Sequence, residues 1–364
     1  MKQFFLLVSA ALTVALFFTS CQKEHVTTEA TLAAPFTIDE SNYYTPNLSD
    51  FDIDMDDRSY WTTIPAGSTD ALQAAIDNAD PGGIIYLRAG IHRETQRVTV
   101  NKRVAIIGED GAVLVISSVD TTVEVNPGLH VLNAPGTLIK NVDIEPLEAS
   151  GWCGVMFENS PRSAILASKI SNFLWGVLVE KSDQIAIIGN HFLDITSNGV
   201  LVCNGKSAYI ADNEFEGIAD IGLWACDEWG TMERNNFHDN VNGVLLCNWP
   251  GVLGVLTPSG EILDALKTCT GWKLRANKFT NHADAGLNVR DGSHWNMIEM
   301  SNEYSNNAAY DIRIPADEDL LPLIFIPAAY ITTIHADPGV IIKDCGINNT
   351  IHGGTLVDTS LDPC

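Results

Sequence analysis

From about Trp61 onward the chain alternates short apolar runs with polar punctuation, and the runs are rich in Val and Ile, as strands are. One triplet recurs: Asn190-His191-Phe192, Asn213-Glu214-Phe215, Asn235-Asn236-Phe237, Asn277-Lys278-Phe279 and Asn302-Glu303-Tyr304, at steps of 23, 22, 42 and 25 residues. A second pattern keeps the same phase: Gly176-Val177-Leu178-Val179, Gly199-Val200-Leu201-Val202, Gly222-Leu223-Trp224-Ala225, Gly243-Val244-Leu245-Leu246 and Gly286-Leu287-Asn288-Val289. Strand-length segments between Gly and Asn turns, repeating every 22 to 25 residues, suit one coil of a solenoid whose stacked strands share a core. Helical repeats are longer and richer in Ala and Leu, so the spacing predicts an all-β parallel solenoid from about Ile64 to Gly354. The doubled step places an insertion at about 249–270, where Glu261 to Lys267 can form one short helix. A second departure runs over about 315–341.

At the start of the solenoid, Ser68 to Ile76 combines an N-cap candidate with apolar positions at helical spacing. It predicts an amphipathic cap over the open edge of the first coil. Ahead of the solenoid, Lys2 and the mostly apolar stretch Phe4 to Phe18 read as a signal peptide over 1–20, with a marginal transmembrane helix as the alternative. Phe18-Thr19-Ser20-Cys21 resembles a bacterial lipobox, which implies that Cys21 is the lipidated first residue of the mature chain. Gln22-Lys23-Glu24 is similar to the charged export tag of Bacteroidetes surface lipoproteins. The implied location is the outer membrane, facing the periplasm or the cell surface. Residues 21–60 form a polar, acidic tether, and 61–364 form the solenoid domain. The run Asp50 to Asp57 suggests calcium as a cofactor, but the glycine that a calcium loop needs at its sixth position is replaced by Asp57 if Asp52 is first.

Composition narrows the function classes. A net charge of −25, with no Lys/Arg run beyond isolated pairs, repels a phosphate backbone and excludes nucleic acid as a partner. With 46% hydrophobic residues the chain can bury a core, and 28 Gly with only 18% charged residues disfavour helical bundles and coiled coils. A monomer is expected.

The repeats carry a resemblance to the right-handed parallel β-helix, or pectate-lyase-like, superfamily. The Asn-x-Phe column looks like its asparagine ladder and internal aromatic stack, and Ile84 to Ile91 and Val104 to Gly108 look like its opening coils. The resemblance implies a partner that is a polysaccharide, bound or processed along the outward face of the first sheet. Polysaccharide lyase and glycoside hydrolase are the enzyme classes it brings in. Both insertions leave the coil after the Gly-Val-Leu-Val strand, beside that face. The enzyme signatures themselves are incomplete. Arg313-Ile314-Pro315-Ala316-Asp317-Glu318 matches the first half of the pectate-lyase Arg-x-Pro-x-x-Arg pattern and ends in Glu, the polygalacturonase Arg-Ile-Lys block is represented only by Arg313-Ile314, followed by Pro, and the Asp-Pro-His-Asp of alginate epimerases is absent. A fold shared by enzymes, adhesins and accessory proteins does not assign a function.

Alternation across a strand sorts the residues of that face: with Val177 and Val179 inward, Leu178 and Glu180 point out. The column two after Gly reads Met156, Leu178, Leu201, Trp224, Leu245, Asn288 and Asp311. The column four after Gly reads Glu158, Glu180, Cys203, Cys226, Cys247, Arg290 and Arg313. An apolar stripe of this kind is either covered or used; Val252 to Leu266 supply an apolar cover, while Trp224 with Trp249 suggests a sugar-stacking platform. Arg290 and Arg313, expected one coil apart, with Asp311 and Asp291, form the candidate catalytic group. The arginines would grip a sugar carboxylate and an Asp, or His294, would move a proton, with a salt-bridge ladder as the alternative. Glu158, Glu180 and Asn288 are candidate substrate contacts, and the two Glu sit near the carboxylate spacing of a retaining glycosidase unless they are simply solvated neighbours of Lys181. The Cys column suits copper(I) or zinc, as in a copper-handling accessory protein, but no His column matches it and no metal site is assigned. Export favours disulfides among Cys203, Cys226, Cys247 and Cys269 and between Cys345 and Cys364, leaving Cys153 as the odd thiol. Two readings remain: a glycan-directed lipoprotein, and a non-catalytic scaffold whose face is sealed by the insertion.

Overall fold

Five successive rungs, from Asn190 to Asn302, each place an asparagine and an aromatic ring on the inner side, and these two columns mark the architecture of the computed structural model. It describes residues 39–47, 61–118, 126–149, 151–246, 269–290, 293–315, 318–321, 324–326, 332–346 and 349–357. The signal and lipobox region with Cys21, the Asp run of the tether, Trp249, nearly all of the first insertion, Cys247, Asp291 and Cys364 lie outside them. No helix among the described residues is long and apolar enough to cross a membrane.

The fold is an all-β parallel solenoid, with one sheet of 21 strands and one of nine. In the larger sheet the strands Gly151–Glu158, Phe173–Glu180, Asn198–Lys206, Ile221–Glu228, Asn242–Leu246 and Ala285–Val289 pair in parallel and form a first face. Short strands such as Ala164–Leu166, Ala186–Ile188, Tyr209–Ala211 and Thr231–Glu233 continue it around a second face. The nine-stranded sheet carries the Asn-x-Phe triplets, with Phe192, Phe215, Phe237 and Phe279 in register and Tyr304 beyond them. Those rings stack with centroids 4.5 to 5.2 Å apart. That matches the spacing between neighbouring strands, so each ring fills the core at its own rung.

Beside the rings runs the amide ladder. Asn190, Asn213, Asn235, Asn277 and Asn302 are buried, and each Nδ2 donates to a backbone carbonyl while each Oδ1 from Asn213 onward accepts from the preceding rung. Asn235 and Asn277 are 42 residues apart yet make the same 3.0 and 2.9 Å bonds as their neighbours. The ladder therefore continues from Asn235 to Asn277 without a break. The Gly column has its own cause: a Cβ on Gly199 would lie 2.5 Å from the Gly222 carbonyl oxygen and 2.6 Å from Ile218, so only glycine lets successive coils approach there.

A second amide row contains one exception. Asn240 Oδ1 accepts from the Ile218 N–H and Asn307 Oδ1 from the His282 N–H, but between them stands His282. Its ring is buried, and neither ring nitrogen finds a hydrogen-bond partner among the described residues. Burial pushes the imidazole down to about 4 from its ordinary 6.5. Between those two pH values the unfolded chain binds the proton and the folded chain does not. Stability is therefore fully present above about pH 6.5 and falls as the pH drops toward 4, by about 2–3 kcal/mol. His282→Asn completes the row and is expected to remove this component. Urea midpoints at pH 7.5 and 4.5 check it, and an equal acid loss in both proteins would contradict the assignment.

Two boundaries differ from expectation. The cap helix is Leu72–Asn78 with Leu72, Ala75 and Ile76 buried, but its N-cap is Ala71 and no side chain of its own caps it. Glu94, from the following strand Gly90–Glu94, accepts from the Ala71 and Leu72 N–H groups instead. Asp70 is occupied by the Thr95 N–H and hydroxyl, and Ser68 donates to the Pro65 carbonyl. The second departure is shorter than 315–341: after an antiparallel hairpin, Glu318–Leu321 with Ile324–Ile326, the chain re-enters the sheet at Thr333, which pairs with Met297.

Candidate functional site on the outward face

The register of the first face places Met156, Leu178, Leu201, Trp224, Leu245, Asn288 and Arg313 in one column. Val155, Val177, Val200, Leu223, Val244, Leu287 and Ile312 line its inner side. The apolar stripe is closed. Met156, Leu178, Leu201 and Leu245 are buried in a second apolar cluster with Cys153, Trp175, Cys203, Ile221 and Cys226, and half-buried Trp152, Leu174 and Trp224 pack against it. The segment expected to cover them, Val252 to Leu266, lies outside the described residues, as does Trp249.

At one end of this face the structure brings together the two Glu named as candidate substrate contacts, and neither is a solvated neighbour of Lys181. Glu158 and Glu180 face one another on adjacent strands, about 4.8 Å apart by strand spacing, and are only 2% and 1% exposed. His130, 1% exposed, brings its Nε2 to 2.7 Å from Glu158 Oε2. Glu180 Oε1 accepts from Asn204 Nδ2 at 2.8 Å. A single proton is shared between imidazole and carboxyl in this hydrogen bond, and imidazole and carboxyl are the side-chain types used for general acid and base chemistry. His130 stands two residues after Gly128 and pairs with Met156, so it extends the outward column by one rung. The residues Gly128-Leu129-His130-Val131 carry that signal in the sequence.

The arginine end is not assembled as expected. Arg313 pairs with Asn288 and Lys343, not with Arg290, so the two arginines are displaced by two positions. Arg313 Nη1 lies 3.5 Å from Asp284 Oδ2. Asp311 is 8% exposed and its carboxylate accepts from Asn307 Nδ2 at 2.7 Å and from the Ile341 N–H at 2.8 Å, holding the returning chain to the sheet. Asp291 is outside the described residues, Arg290 is half-buried, and His294, 9% exposed, lies with Nε2 3.4 Å from the Thr270 hydroxyl. Arginines do converge on a carboxylate elsewhere. On the second face, buried Glu233 takes Tyr209 Oη at 2.5 Å together with Arg234 Nη1 and Arg275 Nε, and Arg234 also grips Asp212. Burial acts to raise the Glu233 carboxyl, but these donors outweigh it and hold it below its ordinary value.

Cys153, Cys203, Cys226 and Cys269 are buried, and Cys345 is half-buried. Cys153 is a free thiol that burial pushes up, with Sγ donating to the Val155 carbonyl. Cys203 and Cys226 pair as neighbouring rungs, and with Cys269 they stand as buried thiols rather than in the expected disulfides. Cys345 is disulfide-bonded. One further acid was not foreseen. Asp227, on the strand Ile221–Glu228, is buried, its Oδ1 finds no partner among the described residues, and burial pushes its carboxyl up to about 8.

The family described as right-handed beta helix region matches residues 127–256. No curated protein sequence matches the chain. Among solved structures, the A-module of the Azotobacter vinelandii mannuronan C-5 epimerase is similar, with a TM-score of 0.53 and 14% identity over 81% of this chain and 95% of that one. A lacto-N-biosidase from Eubacterium ramulus is also similar, with a TM-score of 0.54 and 11% identity over 81% of this chain and 68% of that one. At these identities the likeness concerns the fold. Joined to the parallel register of the sheets, it makes this chain a right-handed parallel β-helix.

Proposed function

We propose that the chain is a lipid-anchored envelope β-helix that binds or processes a polysaccharide on the outward face of its Gly-column strands. The observation that carries the reading is the buried row His130, Glu158 and Glu180, with Glu158 held by an imidazole at 2.7 Å and Glu180 one rung away. Buried ionisable groups are costly, and such constellations concentrate at functional sites. Carboxyl groups of retaining glycosidases stand about 5–5.5 Å apart, and neighbouring rungs provide that separation. Half-buried Trp152 and Trp224 offer rings against which a sugar can stack. Glycan-acting enzymes share this architecture, the epimerase and the biosidase among them, and the excess of acidic residues favours a neutral or amidated glycan over a polyuronate.

The test uses the full chain isolated from membranes, incubated with plant, algal and host glycans with and without calcium, followed by binding and product analysis. New reducing ends or unsaturated products are expected. Glu158→Gln and Glu180→Gln should each reduce turnover at least 100-fold with the melting temperature nearly unchanged. Activity surviving both substitutions would sink the site. Absence of binding to every glycan would favour the second reading, a non-catalytic scaffold, which rests on the complete burial of Met156, Leu178 and Leu201 on the same face.

A further inference from the structure

The nine-stranded sheet has an outer side that the glycan reading does not use. In each triplet the aromatic ring points inward, so the residues on either side of it point out. On three consecutive strands those flanking positions hold His191, Glu214 with Glu216, and His238. His191 pairs with Glu214, and Glu216 pairs with His238, so two imidazoles approach one pair of carboxylates from opposite sides.

The distances converge. His191 Nε2 lies 3.0 Å from Glu216 Oε2 and 3.8 Å from Glu214 Oε2, and His238 Nε2 lies 3.1 Å from Glu214 Oε1. Ligand atoms of Glu214, Glu216 and His238 all fall within 4.8 Å of one another. In a tetrahedral zinc site with bonds of about 2.0–2.1 Å the ligand atoms are about 3.3 Å apart, so the cluster needs little adjustment to close on an ion. His238 is also oriented from behind: Nδ1 meets Asp239 Oδ2 at 2.9 Å, and Asn281 Nδ2 donates to Asp239 Oδ1 at 3.3 Å. A carboxylate behind the second ring nitrogen orients the ring with Nε2 turned toward Glu214, the pattern found around metal-ligating histidines.

Rigidity and access both suit a ligand site. All four side chains stand on strands whose spacing is set by the Phe192, Phe215 and Phe237 stack directly beneath. His191 is 32% exposed and Glu216 41%, which leaves an entry path and room for water. Neither Glu214 nor Glu216 is ion-paired with Lys or Arg among the described residues. Imidazole with carboxylate suits a first-row divalent ion of the zinc type, whereas calcium takes oxygen ligands. From this geometry we propose that His191, Glu214, Glu216 and His238 bind one zinc-type cation that clamps three successive coils.

The experiment uses the full chain, stripped with a chelator and titrated with zinc chloride by calorimetry, alongside His238→Ala and Glu216→Gln. The wild type is expected to take up one zinc with a rise in melting temperature, and each substitution should weaken binding at least tenfold without shifting the metal-free melting temperature by more than a few degrees. Cobalt(II) substitution separates this site from the buried thiols: nitrogen and oxygen ligation gives no thiolate-to-metal charge-transfer band. No uptake by the wild type, uptake unchanged in His238→Ala, or a thiolate band on cobalt binding would each overturn the proposal.

Discussion

Asn213→Ala is expected to lower the unfolding free energy by about 4 kcal/mol, because removing one buried amide strands groups on three sides of it. Asn213 Oδ1 accepts from the Asn190 N–H at 2.9 Å and from Asn190 Nδ2 at 3.0 Å. Its Nδ2 donates to the Ile187 carbonyl at 2.8 Å and to Asn235 Oδ1 at 2.9 Å. After truncation the two Asn190 donors and the Ile187 acceptor stay buried without these partners, at about 1–3 kcal/mol each before relaxation. Alanine also opens a void beside the aromatic stack, which water enters only at the expense of packing. Urea unfolding of the full chain measures the effect, with exposed Lys278→Ala as the control expected to stay within about 0.5 kcal/mol. A midpoint shift no larger than that of the control would show that the ladder is ornamental to stability.

The ladder also explains why the fold could be read before any coordinates. A coil has few inward positions, and two of them are filled by residues with a distinctive job, an amide that satisfies backbone on the adjacent rung and a ring that stacks on the next. Such residues cannot be exchanged for generic aliphatics, so their spacing survives in the sequence. The last coil shows the limit. Counting Asp311 as two, and Arg313 as four, after the Gly position sets Ala309 at that position and puts Arg313 beside Arg290. The steps from Phe192 to Val200, from Phe215 to Leu223 and from Phe279 to Leu287 are eight residues and that from Phe237 to Val244 is seven, and a step of eight from Tyr304 reaches Ile312, the observed register. Alanine carries no constraint of close backbone approach, so it was a poor marker of phase.

The site was less legible for a different reason. Strand alternation says that Glu158 and Glu180 point away from the core, but not whether that side meets water, because covering is decided by chain far away in sequence. Burial therefore removes the solvated alternative for these two Glu, and the apolar column beside them is closed as well. His130 could have been found, since it follows Gly128 at the same interval as Leu178 follows Gly176. The outward His and Glu of the aromatic triplets follow equally from placing Phe inward, since the residues on either side of it must then face out.

The second large effect is expected at His130. His130→Leu removes the imidazole that lies 2.7 Å from Glu158 Oε2 while leaving a carboxylate that is 2% exposed. Breaking one half of a buried polar pair costs about 3–5 kcal/mol, most of it the penalty of the partner left behind rather than the value of the bond. The double variant His130→Leu with Glu158→Met removes both halves and replaces them with apolar volume next to Met156 and Leu178, where apolar groups are already welcome. It should recover more than half of the loss, giving a coupling energy of about 2 kcal/mol or more in the double-mutant cycle. Additive losses would mean that His130 and Glu158 act separately and that the pair is not the unit from which proton transfer on this face should be argued. Strong coupling together with lost turnover in Glu158→Gln would tie the cost of burying these groups to their use, since a sealed scaffold gains nothing from an acid and a base that leucine and methionine could replace.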